Sequence, residues 1–173
     1  MHRYGWWILM AGLAAGMLAG PARAQVELLD DGPSYVDFGA GVFNLGHGHG
    51  DPTSGMGRLE FRLGEKLFRF GPMAGIMANG RGGVYGYGGL YADIAIDRWI
   101  LTPTAAIGGY SRGSSKDLGG GFQFRLGAEL AYRFDNDIRL GVGFAHISNA
   151  GIHDENPGEN ELMVTLAVPI RWP

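Results

Sequence analysis

The chain has 173 residues, a formal net charge of −3, 32 glycines and no cysteine. Its length leaves room for one domain of ordinary size, and the lack of cysteine excludes disulfide scaffolds, thiol catalysis and cysteine-ligated metal sites. The lack of a basic block argues against nucleic acid as the main partner, and the charged fraction of 18% is below the roughly 25% of an average soluble domain.

The first segment of the chain has the pattern of a signal peptide. Arg3 supplies a positive charge, residues 6–20 form an apolar run, and Ala-Arg-Ala at 22–24 is a small-x-small cleavage site. The apolar run of about 15 residues is shorter than the roughly 20 that a membrane-spanning helix needs, which disfavours an uncleaved anchor. The sequence therefore predicts a signal peptide at 1–24, removed by cleavage, and a mature domain at 25–173.

Alternation of apolar and polar residues along the mature chain predicts β-strands. In residues 122–134 the even positions are all apolar, whereas Arg125, Glu129 and Arg133 lie at odd positions. Because a strand sends alternate side chains to opposite faces, this segment has one apolar face and one polar or small face. The same pattern recurs at residues 36–42, 58–63, 138–148 and 162–172, and weaker candidates lie near 71–79, 84–96 and 99–109.

Eight strands of this length indicate a membrane barrel. Most reach the nine or more residues needed to cross a bilayer at a tilt, whereas strands of a soluble sandwich have about five or six. Long connections alternate with shorter turns, as in outer-membrane barrels. Long polar or glycine-rich loops lie near 44–57, 80–83, 110–119 and 149–159. Short turns lie at 97–98 and 135–137, and the connection at 64–70 is somewhat longer than these turns. The predicted fold is all-β, an eight-stranded antiparallel transmembrane β-barrel of outer-membrane type with both termini in the periplasm.

The polar faces predict what fills the barrel. An eight-stranded barrel has room only for side chains, so its charges must pair and no open channel is expected. The residues expected in this network are Asp37, Arg58, Glu60, Arg62, Asp93, Arg125, Glu129, Arg133, Arg139 and Arg171. A soluble lipocalin-like barrel would reverse the two faces, and parity alone does not separate the two folds. The alternation of loop lengths and the terminal Trp172 favour the membrane barrel.

Two polar residues continue the apolar row of the seventh predicted strand. His146 and Ser148 follow Val142 and Phe144 on the same face, since residues two apart on a strand share a face. An imidazole can take the proton of a serine hydroxyl and make it a nucleophile. The same His-x-Ser pattern is also typical of the polar rim where a strand leaves the membrane, because a catalytic triad is recognised by geometry and not by spacing.

The residues around this pair resemble a known enzyme family. His-Ile-Ser-Asn-Ala-Gly at 146–151, then Asn-Pro-Gly at 156–158 and a last strand, is similar to the lipid A 3-O-deacylases of the PagL family. The resemblance implies an eight-stranded barrel in the bacterial outer membrane that hydrolyses the 3-position acyl ester of lipid A, a lipopolysaccharide modification. It is sharp over residues 144–170 and elsewhere extends to length, signal peptide and strand count.

The resemblance also implies roles for individual residues. Ser148 becomes the nucleophile of a carboxylic ester hydrolase and His146 its general base, on a barrel wall that faces the outer leaflet. Asn156 and the backbone amides near Gly151 become candidates for stabilising the oxyanion, with Asn149 as a further substrate-positioning residue. The family's third catalytic member is an acidic residue at the start of the last strand.

At that third position this sequence departs from the family. The residue here is Asn160, flanked by Glu159 and Glu161. Asn160 shares the predicted outer face with His146, whereas the two glutamates point inward unless a bulge turns one of them. An asparagine can orient a histidine but cannot neutralise an imidazolium ion. The predicted site is therefore Ser148, His146 and Asn160, with Glu161 or Glu159 as the alternative third member.

The expected partners are lipid A or lipopolysaccharide as substrate and the outer membrane, without nucleic acid. No metal and no cofactor are implied. The sequence leaves homodimer formation, acyl-chain preference and regulation open. The alternative function is a noncatalytic outer-membrane barrel for adhesion, stability or small-ligand binding.

Three further features of the sequence carry weaker predictions. His47, His49 and Asp51 carry cation-ligating groups, but structural zinc usually takes four fixed ligands. The glycine-rich stretch 80–89 is expected to form an extracellular hairpin. Interfacial aromatic residues of the membrane belt are expected at Tyr85, Tyr87, Tyr91, Trp99 and Tyr110.

Overall fold

The computed structural model describes residues 25–46 and 53–170. The predicted signal peptide, the loop with His47, His49 and Asp51, and the terminal Arg171 and Trp172 lie outside the described residues. The described residues form ten strands: β1 (Val26–Leu28), β2 (Ser34–Phe43), β3 (Ser54–Arg62), β4 (Gly71–Asn79), β5 (Val84–Tyr91), β6 (Ile94–Ile96), β7 (Trp99–Ser111), β8 (Phe122–Arg133), β9 (Arg139–Ser148) and β10 (Glu159–Ile170). Over these two ranges, no helix is long and apolar enough to cross a membrane.

Eight of the strands close into an antiparallel barrel. β10 pairs with β2 from Glu161↔Phe43 to Ile170↔Ser34, and β7 pairs with β8, so the ring has no free edge between its first and last strands. A closed ring satisfies the backbone groups within the sheet, as a strand-built membrane span requires. The predicted eight-stranded all-β barrel is confirmed, including the weaker segments at 71–79, 84–96 and 99–109.

One predicted strand is interrupted. β5 and β6 pair with consecutive parts of the same edge of β7, and the buried residues Ala92 and Asp93 separate them. β6 also pairs with β1, which lies outside the ring of eight. Three residues are too few for alternation to show, which is why the sequence does not predict β1.

The two faces of the barrel differ as a membrane protein requires. Outward side chains are large and apolar, such as Leu126 at 61% and Val142 at 53% exposure. Inward positions hold fully buried charges, including Asp37, Glu60 and Arg62. This arrangement is the reverse of a lipocalin-like barrel, so that alternative is excluded.

Paired charges fill the middle of the barrel, as expected. Arg62 contacts Glu60 at 2.8 Å and Glu129 at 3.1 Å, and Arg58 is paired with Asp37. Because each charge has an opposite partner, the network removes the cost of an isolated buried ion. Two smaller groups, Arg139–Asp93–Lys66 and Arg125–Glu161, lie toward either end of the lumen.

The composition of the network differs in detail from the prediction. Lys66, which comes from the β3–β4 connection, contacts Asp93 at 3.1 Å and is an addition to the expected set. Arg133 makes no ion pair with any residue that the structure describes. The other expected charges between Asp37 and Arg139 are paired inside the barrel.

The prediction of interfacial tyrosines is wrong for Tyr85, Tyr87, Tyr91 and Tyr110, which are buried in the lumen. Their hydroxyls donate to interior acceptors; that of Tyr87 donates to Glu60 at 2.5 Å. The outward positions of β5 include Gly86 and Gly88. The strand therefore has no continuous apolar row, and its sequence does not show which face points outward. Of the predicted hairpin at 80–89, residues 80–83 form the turn and residues 84–89 belong to β5, which pairs with β4. Trp99 is exposed on the outer wall, as predicted.

Candidate active site

His146 and Ser148 lie at the end of β9, on the outer wall of the barrel. His146 is exposed and Ser148 half-buried, and both continue the exposed row of Val142 and Phe144. Ile147, between them, is fully buried in the interior apolar cluster with Phe43 and Tyr110. The inward anchoring of Ile147 sets the outward direction of its two neighbours, whose Cα atoms are about 6.7 Å apart by strand rise.

Asn160 is the direct cross-strand partner of His146. The two residues pair in the β9–β10 ladder, and His146 Nδ1 lies 2.9 Å from Asn160 Oδ1. Asn160 Nδ2 faces the Leu45 carbonyl at 3.5 Å, while the Leu45 N–H donates to the Asn160 carbonyl at 2.9 Å. With its amide oxygen toward the imidazole, Asn160 accepts the proton of Nδ1. This network assigns the His146 tautomer in which Nε2 carries the lone pair.

The two glutamates beside Asn160 are inside the barrel. Glu159 and Glu161 pair in register with Ile147 and Ala145, so β10 is regular here and the bulge considered for this segment is absent. Glu161 contacts Arg125 at 2.9 Å, and Glu159 Oε2 accepts the Asn44 N–H at 3.0 Å. Neither carboxylate reaches His146. Of the three residues weighed for the third position, the structure brings only Asn160 to the imidazole.

The Nε2 edge of His146 is kept accessible by a glycine. A Cβ at Gly158 would lie 3.0 Å from His146 Cε1 and 3.2 Å from Nε2, so the Gly158 backbone packs directly against this edge. Gly158 also has a φ of +57°, a conformation that favours glycine. In the sequence this residue is only part of the Asn-Pro-Gly run, and nothing there connects it with His146.

The Ser148 hydroxyl makes no hydrogen bond to another residue of the described ranges. A hydroxyl without a fixed partner can turn toward a neighbouring base. In enzymes the bond between nucleophile and base is often loose in the free protein and shortens only when substrate binds. The strand thus carries an oriented imidazole and a hydroxyl without a fixed partner two residues apart on the same face.

Asn149 organises the loop that follows Ser148. Its buried side chain donates to the Leu118 carbonyl at 2.9 Å and to the Glu155 carbonyl at 2.7 Å, and accepts the Gly151 N–H at 2.9 Å. Its backbone N–H donates to Asn156 Oδ1 at 3.0 Å. Asn149 therefore holds the loop from inside, and the Gly151 N–H is engaged within it. This differs from the expectation that both residues face the substrate.

Asn156 differs from Asn149 and Gly151 because its donor group is not engaged within the loop. Its Oδ1 is occupied by the Asn149 N–H, and Asn156 itself is exposed. The Asn156 NH₂ group makes no hydrogen bond to another residue that the structure describes. As for metals, no group of three or more His, Asp or Glu that could hold one is found in the described part of the chain.

Comparison with known proteins identifies the family. The model of the lipid A 3-O-deacylase (PagL) family matches residues 25–169. The chain belongs to the PagL family. The same fold is seen in the crystal structure of the outer membrane enzyme PagL, with a TM-score of 0.58 and 19% identity, over 79% of this chain and 99% of that chain. Membership in the PagL family and the barrel fold make the protein a lipid A deacylase of the outer membrane.

A second solved structure is less similar in both fold and sequence. It is the outer membrane protein Ail of Yersinia pestis in a phospholipid bilayer nanodisc, with a TM-score of 0.47 and 11% identity over 79% of this chain and 100% of that chain. A comparison with curated protein sequences found no match. The assignment to the PagL family therefore rests on the family model.

Proposed function

We propose that the protein hydrolyses the 3-position acyl ester of lipid A as a serine esterase, with Ser148 as nucleophile, His146 as general base and Asn160 as the residue that orients the base. One observation carries the proposal: Asn160 Oδ1 lies 2.9 Å from His146 Nδ1, and Ser148 is two residues away on the same lipid-facing strand. This is the order of groups that a hydrolytic triad needs, on the surface that acyl chains contact.

The reaction follows from the assigned tautomer. His146 Nε2 takes the proton of Ser148 as the serine oxygen attacks the ester carbonyl and forms a tetrahedral intermediate. When this collapses, the bond from the carbonyl carbon to the sugar oxygen breaks, and Nε2–H protonates that oxygen. Water then attacks the acyl-enzyme by the same route and releases the fatty acid. Asn160 keeps the proton on Nδ1 throughout.

Asn156 is the proposed oxyanion donor. Its amide oxygen is fixed by the Asn149 N–H, which leaves the NH₂ group of this exposed residue available to donate to substrate. Preorganised donors of this kind stabilise the negative charge that develops on the carbonyl oxygen, and each typically contributes on the order of a hundredfold to a thousandfold in rate. Asn149 supports Asn156 from inside the loop and is a positioning residue.

The site is proposed to face the outer leaflet, where lipid A resides. His146 and Ser148 are at the rim that also carries the long connections after β2, β7 and β9, and long connections are extracellular in barrels of this type. At headgroup depth both water and the acyl ester are present, so the lipid need not leave the membrane. In the same proposal residues 1–24 are removed and residues 25–173 form the mature barrel.

Mass spectrometry of lipid A tests the proposal. Cells that make the wild-type protein should lose one 3-hydroxyacyl chain from lipid A, and cells that make Ser148→Ala should not. Ser111→Ala is the matched control, because Ser111 is exposed at the same rim on β7. Unchanged lipid A with the wild-type protein would instead support the noncatalytic barrel.

A further inference from the structure

The β3–β4 connection carries an exposed apolar tip at the rim opposite His146. Leu67, Phe68 and Phe70, here called the apolar tip, are 71%, 85% and 52% exposed. The two other described turns at this rim are polar: Asp97-Arg98 before β7 and 135–137 before β9. The apolar tip is therefore a property of one turn and not of this rim as a whole.

The turn holds this tip in an unusual conformation. Leu67 and Phe70 exchange two backbone hydrogen bonds of 3.0 Å, which makes the connection a tight two-residue hairpin. Its central residues, Phe68 and Arg69, have φ values of +51° and +73°. Such hairpins favour Asn-Gly because both central residues take positive φ, and a bulky residue there is rare. A large aromatic side chain stands at the most exposed point of the turn despite this preference.

The turn is also fixed to the rest of the barrel. Lys66 Nζ contacts Asp93 at 3.1 Å inside the lumen, and the Gly64 N–H donates to Ser34 Oγ at 3.0 Å. At the surface Arg69 contacts Asp30, in the segment after β1, at 2.6 Å. The turn is therefore in contact with the rest of the barrel on both sides of the tip, while the apolar side chains of the tip stay exposed.

We propose that the apolar tip inserts into the phospholipid leaflet at the end of the barrel opposite the candidate active site. The tip continues the lipid-facing wall: Leu59 and Leu63 on the β3 side and Ile76 on β4 are exposed in the same way. Apolar and aromatic side chains are stabilised at a membrane interface but not in water. Arg69 contacts Asp30 through Nε, and its remaining guanidinium N–H groups are at the level of the tip, where lipid phosphates can accept their hydrogen bonds.

Insertion of the tip does not depend on the proposed esterase mechanism. Only the naming of this leaflet as the periplasmic one rests on the orientation given under the proposed function. A test in symmetric phospholipid vesicles therefore separates the two proposals, because it needs neither lipid A nor catalysis.

Nitroxide labelling tests the insertion, since the chain has no cysteine and single-cysteine variants need no further change. Phe68→Cys is compared with Asn136→Cys in the polar β8–β9 turn and with Leu130→Cys, which is exposed on the lipid-facing wall opposite Val142. In vesicles of phosphatidylethanolamine and phosphatidylglycerol, the label at 68 should collide more with oxygen than with a water-soluble nickel chelate. It should resemble the label at 130, and the label at 136 should show the reverse. A label at 68 that behaves like the one at 136 overturns the proposal.

A second variant keeps the test independent of the labelled phenylalanine. In a Phe70→Cys chain, adding Phe68→Ser should shift the collision ratio of the label toward the aqueous value, and adding Asn136→Ser should leave it unchanged. The Leu67–Phe70 hydrogen bonds are between backbone atoms, so they do not require the Phe68 side chain. An unchanged ratio with Phe68→Ser would show that the tip does not hold its neighbours in lipid, contrary to the proposal.

Discussion

His146 and Asn160 face each other as direct partners in the β9–β10 ladder, with 2.9 Å between Nδ1 and Oδ1. The family's acidic residue would supply both orientation and negative charge at this place. Asn160 supplies orientation alone, since its oxygen accepts the Nδ1 proton without carrying a charge. Which of the two contributions matters more for the rate can therefore be measured in this chain.

Asn160→Ala should lower kcat for lipid A by on the order of 10²–10⁴, because the base loses its fixed tautomer and orientation. Asn160→Glu should raise kcat above the wild-type value, because a carboxylate also stabilises the imidazolium ion. Both are measured with purified protein in micelles. Wild-type kcat in Asn160→Ala would remove Asn160 from the mechanism.

Glu161→Gln should destabilise the barrel by about 3 kcal/mol, because it leaves the buried Arg125 guanidinium without its counter-charge. The specific activity of the folded fraction should stay at the wild-type value, since Glu161 points away from His146. The midpoint of urea unfolding checks the expected loss of stability, and kcat measured on the same preparation checks the unchanged activity. A large fall in kcat of fully folded Glu161→Gln would restore Glu161 as a third member.

Asn156→Asp distinguishes the role of the Asn156 side-chain oxygen from that of its NH₂ group. The substitution keeps an oxygen that accepts the Asn149 N–H and removes the NH₂ donor, so the loop is retained and the oxyanion donor is lost. We expect kcat to fall by about a hundredfold with little change in KM. Asn136→Asp, in an exposed turn at the other rim, serves as the control. Unchanged kcat in Asn156→Asp would assign the oxyanion to another donor.

Asn149→Ala should loosen the contact between two loops. It leaves the Leu118 and Glu155 carbonyls without their side-chain donor, at a cost of about 1–3 kcal/mol. Proteolysis at residues 112–121 should become faster and kcat should fall, both without loss of the barrel. Proteolysis at the wild-type rate would show that Asn149 does not join the loops.

Gly158→Ala should lower kcat because its Cβ would lie 3.0 Å from His146 Cε1. Gly82→Ala in the β4–β5 turn is a matched control: Gly82 also has positive φ, at +80°, but a Cβ there meets nothing within 4 Å. Both changes carry a similar backbone cost of about 1 kcal/mol. If kcat falls equally in the two variants, the effect comes from the backbone and not from contact with His146.

How far the sequence predicts this site depends on the strand considered. On β9, apolar residues alternate with small or charged ones, so the outward placement of His146 and Ser148 follows from parity. Asn160 is placed by the same rule. On β5, glycines occupy outward positions, and the side chains of Tyr85 and Tyr87 take the lumen against the prediction.

The loop contacts could not be predicted in the same way. Asn149 binds Leu118, which is 31 residues away, and no periodic pattern links two loops that meet only in the folded barrel. Lys66 likewise enters the interior from a connection rather than from a strand, so alternation does not apply to it. Gly158 acts through the absence of a side chain, which has a meaning only once the position of the imidazole is known.

The seam where the barrel closes passes beside the imidazole. Asn160 is on the last strand, and its amide faces the carbonyl of Leu45, just beyond the first strand of the ring. Before the terminal strands pair, Asn160 lacks both of its contacts with Leu45, although its contact with His146 already exists within the β9–β10 hairpin. Closing the ring therefore fixes the orienting residue of the site at the same time as it removes the free edges of the sheet.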